Sequence, residues 1–131
     1  MEKLNITIIG GGNSSHTLIP LLSNAGHNVS LQTRNPDKWS KNVIMEYTNK
    51  EGQVIDRLTG KLKYVSNNPQ EIIPDSDIII LSLPVSVYRL MLHNIAPYID
   101  KNRKVYIGVI YGQGGFNWMM ENLIAEFNLN N

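Results

Sequence analysis

Residues 5–18, NITIIGGGNSSHTL, run from an apolar, β-branched stretch into three consecutive glycines and then into small polar residues that suit the start of a helix. Glycine loses more backbone freedom on folding than any other residue. Three in succession directly after a strand therefore imply a tight turn or a backbone that something must approach closely. Gly10-Gly11-Gly12-Asn13-Ser14-Ser15 fits G-x-G-x-x-[G/A/S] in the strand–turn–helix setting that gives the pattern meaning. Gly10 allows the sharp turn, Gly12 leaves no Cβ between backbone and a pyrophosphate, and Ser15 keeps a small side chain where helix meets strand. The helix start offers unpaired N–H groups and partial positive charge to a phosphate, with the amides of Asn13 and Ser14 as candidates. Ser14, Ser15 and His16 also adjoin one another, but no acid is placed to orient the imidazole. The serines read as helix-start residues rather than nucleophiles.

The rest of the chain alternates strands with helices. Leu4–Ile9 reads as a strand, followed by a helix from about Ser14 with Leu18, Leu21, Leu22 and Ala25 at helical spacing. Pro20 is expected to kink that helix, and Asn24-Ala25-Gly26 to close it with Gly26 in a left-handed cap. His27–Thr33 reads as a second strand. Asn35-Pro36-Asp37 then predicts a helix that carries Trp39 and Val43 inward. Residues 53–65 predict a small hairpin turning at Thr59-Gly60. A helical turn at Pro69–Ile72 precedes the apolar run Asp77–Leu83, which suits a central parallel strand ended by Pro84. Val85–Ile99 places Tyr88, Met91, Leu92, Ile95 and Ile99 on one helical face. Val105–Tyr111 is the last strand; Gly112-Gln113-Gly114-Gly115 and a helix from Phe116 to about Leu129 follow it. The expectation is one α/β domain spanning residues 1–131, of Rossmann type. Its sheet is doubly wound and mainly parallel, with helices on both faces and a small β-hairpin insertion. Ligands of such sheets bind at the carboxyl ends of the strands where their order reverses. The loops after Ile9, Thr33, Leu83 and Tyr111 are therefore the ones to watch.

The end of the second strand, Gln32-Thr33-Arg34-Asn35, lacks the Asp or Glu that takes the ribose hydroxyls of NAD. Arg34 suits a 2′-phosphate, and Thr33 and Asn35 add hydrogen-bonding groups. These residues favour NADP as cofactor. NAD is the alternative, with Arg34 stacked on adenine.

Composition narrows the classes further. A net charge of +1 leaves no electrostatic footprint for nucleic acid, and the basic run Lys101 to Lys104 reads as a solvated turn. Cysteine is absent, which excludes disulfides, zinc ribbons and thiol nucleophiles and fits a reducing cytoplasm. The opening residues lack a secretory pattern, and no apolar run is long enough to span a bilayer. A cytoplasmic domain with no membrane partner is expected. His27 and His93 lack a suitably spaced carboxylate or second His, so both read as structural or exposed rather than as metal ligands.

Together, IIGGGNSSH, LSLPVSVYRLMLHNIAPYI and YGQGGFNWM resemble the N-terminal domain of the octopine/nopaline (opine) dehydrogenase family. That domain is similar in turn to the cofactor domains of glycerol-3-phosphate dehydrogenase and ketopantoate reductase. The resemblance implies a dinucleotide-dependent oxidoreductase that reduces the imine formed between an amino acid and a 2-oxo acid. It implies that Gly10, Gly12 and Asn13 hold the pyrophosphate. Leu83, Pro84 and Val85 would line the cofactor, and Gln113, Gly114 and Gly115 would border the catalytic cleft. It also implies that the catalytic His–Asp pair belongs to a C-terminal helical substrate domain lying outside these 131 residues. On this reading the chain stops in the final helix at Asn131, before the sixth strand expected of a complete doubly wound fold. The chain is therefore expected to bind cofactor and not to catalyse alone. A non-catalytic NAD(P)-binding sensor that reports to a partner is the alternative. Tyr111 is placed to touch nicotinamide or to pack. Trp118, Met119 and Met120 would contact the absent domain or, left exposed, favour a homodimer.

Overall fold

A computed structural model describes residues 2–129. Six strands form one sheet in the order β3-β4-β2-β1-β5-β6. They are β1 (Asn5–Ile9), β2 (Asn28–Gln32), β3 (Asn42–Thr48), β4 (Val54–Ser66), β5 (Ile78–Leu81) and β6 (Tyr106–Val109). The helices are α1 (Asn13–Asn24), α2 (Pro69–Ile72), α3 (Tyr88–Ile95) and α4 (Phe116–Phe127). All neighbouring strands pair in parallel except β3, which lies antiparallel on β4 at one edge. From β1 the chain crosses to β2 on one side, and β5 joins β1 on the other. The order reverses between β1 and β5.

Both faces are covered, as the continuous apolar runs of β1 and β5 require. Ile8, Val29, Leu31, Val43 and Leu62 face α1 around Ile19. Ile9, Ile79 and Leu81 face the other way, onto Tyr88, Leu92 and Ile95 of α3 and Leu123 of α4. The expected doubly wound α/β architecture is present. No helix among the described residues is long and apolar enough to cross a membrane.

Several local expectations are corrected. The helix runs through Pro20 from Asn13 to Asn24, and it buries Ser15, Ile19 and Pro20 while Leu21 faces solvent. Gly26 does take a positive φ of 99° just past the helix. The predicted helix after Asn35 is only a single 3-10 turn, Pro36–Lys38. Val43 belongs instead to β3, where β-branched and aromatic residues suit a pleated strand better than a helix. The hairpin exists, but its turn is Asn49–Gln53, where the Asn49 side chain accepts the amides of Glu51 and Gln53. Thr59-Gly60 lies in mid-strand, with Gly60 opposite Val43.

The basic run is not simply solvated. Arg103 bonds Asp77 at 2.5 Å, Asp100 at 3.1 Å and the carbonyls of Pro74 and Ser76. Asp77 also accepts the Asn5 amide at 2.8 Å, tying the amino-terminal ends of β1, β5 and β6 together.

His93 likewise gains a carboxylate that sequence spacing could not reveal. Its Nδ1 faces the Arg89 carbonyl and its Nε2 faces Glu126 of α4, each at 2.9 Å. Two acceptors favour the doubly protonated ring. The bond to the Arg89 carbonyl, and then Glu126, raise its pKa above the ordinary value of 6.5. A raised folded-state pKa stabilises below the ordinary pKa, and that contribution is lost as pH rises through the shifted value. The α3–α4 contact should therefore loosen as pH rises from the ordinary histidine value of 6.5 through the raised one. Melting curves across this range should fall more steeply for the natural chain than for His93→Gln; parallel slopes would show that the pair adds nothing.

Candidate functional site

Four loops meet at the carboxyl edge of the parallel strands, and glycines are their points of contact. The first glycine ends β1. Gly10 is buried at φ +115°, a conformation L side chains rarely adopt, and its amide donates to the Gln32 carbonyl at 2.9 Å. A Cβ there would stand 2.2 Å from the Ser82 carbonyl oxygen and 2.7 Å from a Leu83 methyl. The turn after β1 thus presses directly on the loop after β5, at the reversal point.

Gly11 turns the other way. A Cβ on it would meet Thr33 Oγ1 at 3.1 Å and the Trp39 indole at 3.3 Å. The loop after β2 is thereby packed against the middle of the glycine turn. Gly114, at φ +69°, lies so close to Val85 that a Cβ would be 2.1 Å from its methyl. The loop after β6 therefore rests on the loop after β5. It is also held by the fully buried Tyr88, whose hydroxyl donates to the Tyr111 carbonyl at 3.0 Å.

Gly12 differs from all of these. Its φ of −84° is open to any residue, and nothing lies within 4 Å of where its Cβ would be. The space above it is kept clear by a residue the backbone itself does not demand. Beyond it α1 begins, and the amides of Asn13 and Ser14 donate to no protein group among the described residues. Ser15 and His16 point their amides at the Gly12 carbonyl. The Ser15 hydroxyl donates to the Gly10 carbonyl at 2.6 Å, fully buried. This side chain therefore closes the turn as well as leaving room for the helix. The same bond removes it from any nucleophilic role, and His16 is engaged with the Gly12 carbonyl.

These contacts bring Gly10 to Ser15, Thr33, Leu83, Val85 and Gly114 into one continuous rim, with Pro84 between two of its members. Arg34 is exposed on the same loop as Thr33 and pairs with no carboxylate among the described residues. Asn35 makes no side-chain cap; its carbonyl accepts the Lys38 amide instead. Gln113 is exposed at the outer end, its amide turned back to the Tyr111 carbonyl. Tyr111 and Trp118 are also exposed at that end.

Sequence reasoning missed two members of the rim. Gly11 has no task in the sequence pattern, which assigns them to the outer glycines alone. Trp39, expected on a helix and packed inward, lies beside Gly11 and stacks on His16 with ring centroids 4.3 Å apart. Its place four residues beyond Asn35, in a loop rather than a helix, was the only signal.

The site passes a physical test for a phosphate-bearing nucleotide. Among the described residues it has a cradle that a Cβ at Gly12 would fill, unpaired amides at the start of a 12-residue helix, and no carboxylate in the rim. Gln32, at the end of β2, also carries a buried side-chain oxygen without a partner among the described residues. Such an atom costs about 1–3 kcal/mol, and it belongs to the residue whose backbone carbonyl takes the Gly10 amide.

Comparison with known proteins agrees with this geometry. A family model described as "NADP oxidoreductase coenzyme F420-dependent" matches residues 5–112. Opine dehydrogenase of Haliotis discus hannai is 24% identical over 95% of this chain and 33% of its own length. Octopine dehydrogenase in complex with NADH and L-arginine superposes with a TM-score of 0.81 at 21% identity, over 95% of this chain and 32% of that one. Yersinopine dehydrogenase with NADP+ bound gives 0.77 at 16% identity, over 97% and 32%. The chain spans about a third of the length of the curated relatives it matches.

Proposed function

This chain belongs to the NADP oxidoreductase, coenzyme F420-dependent family, and from that premise we propose that it is the dinucleotide-binding part of an opine-dehydrogenase-like oxidoreductase. The observation that carries the reading is the cleared space at Gly12 beside the unpaired amides of Asn13 and Ser14. Those amides and the dipole of α1 would bind the pyrophosphate. Thr33, Arg34 and Asn35 would hold the adenosine ribose and its 2′-phosphate. Leu83, Pro84 and Val85 would give the nicotinamide half an apolar wall that keeps water from one side. Gln113 and Gly114 would border the reacting end.

The bound dinucleotide supplies hydride chemistry. No residue of this chain is assigned a proton-transfer role. Residues 1–131 act as a cofactor domain, and the amino acid, the 2-oxo acid and the general acid–base pair belong to a further substrate domain. Exposed Trp118, at 74% of its free surface, suits a contact with that domain.

Parallel titrations with NADPH and NADH test the proposal, since its relatives hold either nucleotide. NADPH should bind more tightly. Arg34→Ala should weaken NADPH about 5- to 20-fold, the worth of a charge-assisted hydrogen bond discounted for exposure, and barely change NADH. Equal binding of both by the natural chain would move the cofactor to NAD. Gly12→Ala should melt as the natural chain does yet lose at least about tenfold in affinity for both nucleotides, because its methyl fills the cradle. Absence of binding by the natural chain would overturn the dinucleotide reading.

A further inference from the structure

We propose that Trp39 is a specificity-determining residue of this site: its indole N–H and the Thr33 hydroxyl form a donor pair beside Gly11 that selects a 2′-phosphorylated dinucleotide. The inference rests on the dinucleotide reading above and deepens it.

Convergence is the first ground. Thr33 Oγ1 and Trp39 Nε1 stand 3.1 and 3.3 Å from one and the same point, the position a Cβ on Gly11 would occupy. Two polar atoms from opposite ends of the loop after β2 thus flank the middle of the phosphate turn. The loop is folded back to put them there, since Trp39 is six residues beyond Thr33.

Availability is the second. A half-buried indole N–H ordinarily finds a partner. Here it donates to no protein group among the described residues, and neither does the Thr33 hydroxyl. The ring itself is well held: it stacks on His16 at 4.3 Å and 29°, and His16 is fixed to the Gly12 carbonyl at 3.1 Å. The indole is therefore anchored by its face, with its one polar atom left at the turn.

Chemistry decides the ligand. An indole N–H and a guanidinium donate only, and a threonine hydroxyl can donate or accept. A ribose 2′-hydroxyl is held best by an anionic acceptor for its own proton at the end of the second strand, where Gln32-Thr33-Arg34-Asn35 has none; the loop's one acid, Asp37, lies in the 3-10 turn beyond it. A 2′-phosphate needs donors alone. Trp39, Thr33 and the adjacent Arg34 supply them, and Arg34 forms no ion pair with a carboxylate among the described residues, Asp37 included.

Calorimetric titration of the whole 131-residue chain with NADPH and NADH, and with 2′,5′-ADP and 5′-ADP, tests this without relying on tryptophan emission. Trp39→Phe keeps a ring against His16 and removes only the N–H; Thr33→Val keeps the branched shape and removes only the hydroxyl. Each should weaken NADPH and 2′,5′-ADP by about 5- to 10-fold and change NADH and 5′-ADP less than twofold, so the preference ratio falls. Equal weakening of all four ligands would reduce Trp39 to packing and overturn the proposal, as would no change in any. A natural chain that binds NADPH and NADH equally overturns it while leaving dinucleotide binding intact. A natural chain that binds none of the four overturns the underlying reading as well.

Discussion

Gly10→Ala is expected to lower the melting temperature of this domain by about 10–20 °C or to leave it unfolded. Two penalties coincide at this residue. The backbone sits at φ +115°, where a side chain is strained, and the new methyl would stand 2.2 Å from the Ser82 carbonyl oxygen. Each penalty is worth about 1–3 kcal/mol, against a total stability of about 5–15 kcal/mol for a domain. No rotamer relieves the clash, because the obstructing atom is backbone. The only escape is to part β1 from the loop after β5 at the centre of the sheet, which would also strip Leu83 from its place. Thermal denaturation followed by circular dichroism checks this. A midpoint within about 3 °C of the natural chain would show that the β5 loop yields, and that Gly10 serves a ligand rather than the fold. Set beside Gly12→Ala, the pair separates the two meanings of glycine in one turn.

Gly60→Ala should produce the second large effect, far from the glycine pattern. Gly60 lies in mid-β4 with an ordinary backbone, so its loss adds no torsional strain. A methyl there would stand 2.5 Å from the Pro20 Cα and 2.8 Å from the Pro20 nitrogen, with the Ile19 carbonyl carbon at 3.0 Å. All three atoms are helix backbone. The helix must lift off the sheet as a body, thinning the contact of Ile19 with Leu31, Val43 and Leu62. We expect a loss of about 1–3 kcal/mol and a melting temperature lower by about 5–10 °C. Because α1 also carries the amides of Asn13 and Ser14, dinucleotide affinity should fall in the same variant, without any change at the site's own residues. Unaltered melting and binding would mean that α1 is free to adjust, and that close helix–strand approach is not what keeps Gly60 a glycine.

The difference between Gly60 and the Gly10–Gly12 turn shows where sequence reasoning succeeds here. Around residues 5–18 the strand, turn and helix are contiguous, so the partners that give each glycine its task are within a few positions. The cradle of Gly10, Gly12, Asn13, Ser14 and Ser15 could be placed without a structure. The alternation of apolar strands and amphipathic helices is equally local, and the doubly wound sheet follows from it. Pro69–Ile72, Pro84 and Gly26 were legible for the same reason: each acts on its own backbone.

What the tertiary structure alone decided is every feature whose cause lies across the chain. Thr59-Gly60 carries the same letters as a hairpin turn, and only the presence of Pro20 forty residues earlier makes Gly60 a point of close approach. The true turn, at Asn49–Gln53, is set by an asparagine side chain and by the pairing of β3 with β4. Trp39 reads as a helical core residue until the loop after β2 is seen to fold back onto Gly11 and His16. Arg103 reads as solvated and His93 as structural or exposed until Asp77 and Glu126 arrive from other elements. The sequence by itself determined the kinds of element, their order, the doubly wound class and the phosphate turn, because backbone propensity and hydrophobic period act over a few residues. Which surfaces of those elements touch depends on packing between segments tens of residues apart, and one chain read in order carries no signal of that distance.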